Sequence, residues 1–255
     1  MSNSPFSSSP AIGRSAAAVD QGLQAFFAGT YKQMTIAMII TGIVAYVFGM
    51  DLLALTKGQP TAFLPAELLT TLFATPLKWA VIFGPLAFVL VFSMMLHKMS
   101  ASTARLCLYG FSAMMGLSIS TIFVRYTGMS IAQAFFATAA GFAALSIWGY
   151  STKRDLSAMG RFMFIGLVGL IVLGVMNIFI QSEPMSLALA AISIFVFAGL
   201  TAYDTQKIKT SYLEMRGHAS EEDLSRMATI GALELYLDFI NMFLAMLRLF
   251  GATND

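Results

Sequence analysis

The sequence predicts an all-α polytopic membrane protein with seven transmembrane helices, the last enclosed by the other six. Composition is the first observation: of 255 residues, 58% are hydrophobic and 11% charged, and the mean hydropathy is +0.77. Soluble globular chains carry about 25% charged residues. The second is that apolar stretches of roughly 20 residues, enough to cross a bilayer core as a helix, recur along the chain. The third is a polar stripe in the last stretch, which needs shelter from lipid. Alternating strands of about ten residues, the mark of an outer-membrane barrel, are absent from the sequence.

Residues 1–30 are read as a flexible cytoplasmic tail and residues 31–255 as the transmembrane domain. The segment MSNSPFSSSPAIGRSAAAV is rich in Ser, Pro and Ala, and no long apolar run follows Arg14. It therefore lacks the core of a cleaved signal peptide, and the first span is expected to act as an uncleaved anchor. The spans fall near 33–55, 79–97, 105–124, 130–150, 162–181, 186–206 and 228–250. Between the first two, LPAELLTTLF is too short to cross and is expected at the interface. The polar stretch 207–227 is read as a loop. Cys107 is the only cysteine, so no intrachain disulfide exists, and it reads as small apolar filler.

Basic residues set the expected orientation. With the N-terminus in the cytoplasm, eleven lie on inner segments: Arg14, Lys32, Lys98, Arg105, Lys153, Arg154, Arg161, Lys207, Lys209, Arg216 and Arg226. Four lie outside: Lys57, Lys78, Arg125 and Arg248. The expected topology is multi-pass, with the N-terminus in the cytoplasm and the C-terminus outside. The bases are spread through loops and form no nucleic-acid patch. Small residues recur every four positions on the third span (Ser112, Gly116, Ser120) and the fourth (Ala137 with Gly141, Ala140 with Ala144). That spacing lets helices approach closely. Asn177, alone in the fifth span, reads as an interhelical hydrogen bond.

The last span, MATIGALELYLDFINMFLAMLRLF, holds Glu234, Asp238, Asn241 and Arg248, separated by four, three and seven residues. All four share one helical face. An ionised group at the bilayer centre costs about 2.5–3.5 kcal/mol on insertion scales, so this face should point inward. Asp204 closes the sixth span in GLTAYDTQKIK. It reads either as an interfacial residue ending a helix or as half of a pair with Asp238, which lies at compatible depth. Two carboxylates in contact in low dielectric can share a proton, and together they offer oxygen ligands to a hard cation. His97 and Lys98 end the second span; each fits an interfacial anchor or a cation facing Asp204. No His/Cys cluster, phosphate loop or nucleophile elbow occurs in the sequence, and no cofactor is expected.

GLTAYDTQKIK (199–209) together with LELYLDFINMFLAMLRLFG (233–251) resembles the Bax inhibitor-1, or transmembrane Bax inhibitor motif, family, and its bacterial members in particular. The resemblance implies seven helices with the last enclosed, set in a bacterial cytoplasmic (inner) membrane. It also implies a pH-sensitive calcium leak whose sensor is the aspartate pair Asp204 and Asp238, supported by the polar stripe of Glu234 and Asn241. In the family a basic residue near the end of span two latches onto the first aspartate; here only His97 or Lys98 stands at that place. Some bacterial relatives restrain a membrane-bound protease instead, which implies a partner-binding role through residues 1–30 and 207–227. An enzymatic reading, as an intramembrane aspartyl protease, fits poorly: such enzymes carry GxGD at the second aspartate, and here bulky residues flank it in YLDF.

Overall fold

The computed structural model describes residues 10–95 and 98–254, with side-chain surroundings from residue 21 onward. The described residues form α1 (Pro10–Thr56), α2 (Ala66–Ala74), α3 (Lys78–Met95), α4 (Ala101–Ile119), α5 (Ile122–Arg125), α6 (Gly128–Ser151), α7 (Ser157–Ile180), α8 (Glu183–Met215) and α9 (Glu221–Phe250). Among the described residues, seven spans are long and apolar enough to cross a membrane, with α4 and α5 together making the third. The fold is an all-α polytopic bundle, as the sequence predicts.

Hydroxyl caps place the turns. Ser100, Thr127, Ser182 and Ser220 accept hydrogen bonds from the backbone N–H groups of Thr103, Ser130, Met185 and Asp223, which starts α4, α6, α8 and α9. At α9 the bond is reciprocal, because Asp223 accepts from the Ser220 N–H. Each such cap contributes about 1 kcal/mol.

Two expectations are corrected. The helical part of α1 starts well before residue 31, and within the tail expected over residues 1–30, Leu23, Phe26, Phe27 and Thr30 are buried. Residues 1–9 of that tail lie outside the described residues. The loop expected over 207–227 shrinks to residues 216–220, since α8 runs to Met215 and α9 begins at Glu221. One contact explains both. The Phe26 and Tyr212 rings pack with centroids 4.9 Å apart, so the extensions of α1 and α8 bury apolar area against each other.

α9 is the centre of the bundle. Its buried residues run from Ala228 to Leu247, and of the six spans expected around it α8, α1, α6 and α4 pack closely on it, while α3 and α7 stand further off. The fully buried Tyr236 hydroxyl lies 2.6 Å from Thr41 Oγ1, which also donates to a carbonyl of α1 or α4. α7 is peripheral; Gly160 is its one buried residue, set against the Tyr203 ring.

The small-residue stripes behave differently on the two spans. On α4, Ser112, Gly116 and Ser120 are buried, and a Cβ at Gly116 would meet Thr41 O at 2.6 Å. On α6, Ala137, Ala140, Gly141 and Ala144 are exposed. The inward seam is instead Ser130, Ala134, Thr138, Phe142, Ser146 and Gly149, where the Gly149 backbone lies against that of Ala202. Spacing alone says that two residues share a face, not which way the face points.

At the α1–α2 connection, the buried Asp51 carboxylate accepts from the backbone N–H groups of Ala62, Phe63 and Leu64 at 2.7, 2.9 and 2.7 Å. This carboxylate ties the connection onto the end of α1.

Candidate functional site

Asp204 does not end a helix. α8 continues through Thr205–Met215, about three turns further. The string GLTAYDTQKIK instead assembles a site. Thr201 and Thr205 satisfy their hydroxyls on their own helix, through Phe197 O and Thr201 O. Gln206 accepts from Leu156 N–H and donates to Arg154 O, both at 2.8 Å, and so straps the α6–α7 turn to α8. Lys209 donates to Tyr150 O at the end of α6 and lies over its ring. Those contacts leave Asp204 and Lys207 facing α9.

There the polar stripe meets them. The carboxyl groups of Asp204 and Asp238 line the same cleft as neighbours across the α8–α9 interface. Lys207 Nζ lies 2.5 Å from Glu234 Oε1 and 4.0 Å from Asp204 Oδ1. Side-chain exposure falls from 43% at Lys207 and 28% at Glu234 to 13% at Asp204. It reaches 4% at Asp238, whose Oδ2 has no hydrogen-bond partner among the described residues. The site is thus a graded descent from a solvated ion pair to a buried acid. A buried oxygen without a partner is costly, and a shared proton or a cation would relieve it.

A cleft of about 880 Å³ opens onto these groups. Leu86 and Val89 of α3 and Phe164 and Ile171 of α7 form apolar walls, while Arg161, Asp204, Lys207, Glu234, Asp238 and Asn241 supply the polar lining. α3 and α7 therefore stand across a gap from the acid pair instead of closing over it. Asn241 donates to Leu237 O on its own helix, so it lines the cleft without reaching the acids.

The predicted residues divide cleanly. Asp204, Asp238 and Glu234 come together, and Asn241 lies beside them. Arg248, on the same stripe, sits at the other end of α9 and donates to Ser186 Oγ at 2.6 Å. His97 lies outside the described residues. Lys98 is exposed, and among the described residues it forms no ion pair; the cation next to Asp204 is Lys207. The spacing of Lys207, three residues after Asp204 on a helix, carries that signal, but position near the span end reads equally as an orientation marker.

Among the described residues, no three His, Cys, Asp or Glu side chains converge as a metal site. Calcium takes six to eight oxygen ligands, more than the two carboxylates supply on their own.

The fold and this site define a polytopic membrane protein with an acid pair buried between its last two helices. Residues 23–255 match the family described as inhibitor of apoptosis-promoting Bax1, and the chain belongs to that Bax inhibitor-1 family. Among its relatives, the inner membrane protein YbhL of Escherichia coli K12 is 38% identical over 230 residues, covering 90% of this chain and 92% of YbhL. An uncharacterized protein of Rickettsia prowazekii is 37% identical over 236 residues, covering 92% and 93% of the two chains. An uncharacterized protein of Caulobacter vibrioides is 34% identical over 242 residues, covering 93% and 92%.

Proposed function

We propose that this protein is a pH-sensitive cation leak, with calcium as the permeant ion, and not an enzyme. The observation that carries the reading is the neighbouring pair Asp204 and Asp238 at the floor of a cleft, with one acid oxygen left without a partner. With a proton shared between them, the two acids hold α8 and α9 together. Loss of that proton adds a negative charge in a confined site, pushes the carboxylates apart and draws a divalent cation. Flux should therefore rise as pH rises through the range in which the proton leaves. Lys207 and Glu234 stand at the more exposed edge of the same group. The distribution of basic residues supports a cytoplasmic N-terminus, and the E. coli relative supports an inner-membrane location.

The test is calcium flux in proteoliposomes across a pH series, wild type beside Asp204→Asn and Asp238→Asn. The wild type should show a pH-dependent leak, and either substitution should flatten the profile. A double Asn variant that keeps the wild-type pH profile would overturn the reading.

A further inference from the structure

At the end of the bundle away from Lys207, a second cavity of about 680 Å³ opens beside the α7–α8 turn and the end of α9. Its polar lining is rich in donors. Ser186, buried at 8% exposure, accepts from Asn177 Nδ2 and from Arg248 Nη2, each at 2.6 Å. A hydroxyl oxygen that accepts twice turns its own proton outward, and no acceptor for that proton occurs among the described residues. Arg248 makes one of the five hydrogen bonds that a guanidinium can donate. Arg125 lines the same cavity, stacks over the Tyr126 ring, and makes no side-chain hydrogen bond among the described residues. Neither arginine forms an ion pair among the described residues, although Glu183 stands on the rim.

We infer that this cavity binds a phosphate-bearing anion, clamped between Arg125 and Arg248 with the Ser186 hydroxyl as a third donor. Two guanidinium groups from separate elements and a hydroxyl line the one cavity, and that number of donors suits the several oxygens of a phosphate better than a carboxylate. Glu183 disfavours a dianion and so favours a singly charged phosphodiester. Ile178, Leu187 and Leu249 beside the polar groups give an attached acyl chain somewhere apolar to lie. The anion is thus either the headgroup of an anionic phospholipid or free phosphate, and the asymmetry of the lining fits the lipid. Arg248, which the sequence places on the same stripe as Asp238, belongs to this separate site.

The full-length protein in a non-ionic detergent, titrated with phosphatidylglycerol or phosphatidylcholine and observed by native mass spectrometry, tests the inference. The wild type should retain phosphatidylglycerol in preference to phosphatidylcholine, and Arg125→Gln/Arg248→Gln should lower that retention at least fivefold. Arg125→Gln alone is the control for folding: it breaks no hydrogen bond in the structure, yet it should weaken retention at an unchanged melting temperature. Millimolar inorganic phosphate displacing the lipid would identify free phosphate as the ligand, and failure to displace it would identify the headgroup. Equal retention of the two lipids, or equal retention by wild type and the double variant, overturns the site.

Discussion

Lys207 and Glu234 form an ion pair across the α8–α9 interface at 2.5 Å, one turn from the acids Asp204 and Asp238 on each helix. Lys207 is the cation next to the acid pair, and it comes from the same helix as Asp204. Because Lys207 is 43% exposed, its attraction to Glu234 is screened by solvent. A double-mutant cycle on Lys207→Ala and Glu234→Ala should return a coupling of about 0.5–1 kcal/mol in stability. Denaturation in mixed micelles measures it. A coupling several times larger would mean that the pair is desolvated and would move the wet edge of the site deeper.

Helix approach at Gly116 should be strict. A methyl group there meets Thr41 O at 2.6 Å and Val44 Cβ at 2.9 Å, and backbone cannot move aside cheaply. Gly116→Ala should cost about 2 kcal/mol. Gly141→Ala, at a site with nothing within 4 Å, should be neutral or slightly stabilising, since Ala is the better helix former. Thermal unfolding of the two variants side by side gives the comparison.

Asp51 should matter well beyond its size. Its carboxylate holds three backbone N–H groups, and Asp51→Ala leaves all three without that acceptor. The expected loss is about 2–4 kcal/mol. Limited proteolysis should then cut within residues 57–65, where the wild type resists.

Asp155, in the turn before α7, gives a pH signature outside the spans. Its carboxyl is held below the usual aspartate value by the Ser157 hydroxyl, with the Ser157 backbone N–H and the charge of Arg161 adding to the effect. A depressed folded value means that the contribution is present above the unfolded pKa of about 4 and fades as pH falls through the folded one. The NMR titration of Asp155 should show a midpoint below that of an unfolded peptide. Ser157→Ala should raise the midpoint.

The spans and the acid pair were legible because both are written in periodicity: runs of bilayer length, and carboxylates at helical spacing. What escaped is what periodicity does not encode. The packing of Phe26 on Tyr212 joins residues from opposite ends of the chain, so the start of α1 looks like a tail until α8 is folded beside it. The polar run KIKTSYLEM reads as a loop, yet its Ile208 and Tyr212 are spaced four apart and buried. Asp51 binds only backbone N–H groups, which leave no mark in a side-chain pattern. Gln206 and Lys207 were hidden because polar residues after a span are expected in any case. The inward face of α6 was misread because exposed small residues repeat as regularly there as buried ones.

The burial of α9 sets an order on synthesis. The helix most enclosed in the finished bundle follows the six other spans along the chain, so it is synthesised after them, and it carries Glu234, Asp238 and Asn241. Until it arrives, α1, α4, α6 and α8 lack the helix on which all four pack. A helix bearing those acids is a poor candidate to wait alone in lipid. The nascent chain therefore passes through a half-built assembly with an open interior, whose vacancy α9 later fills. Truncation anywhere within α9 should give a protein cleared by quality control, not one that is merely inactive.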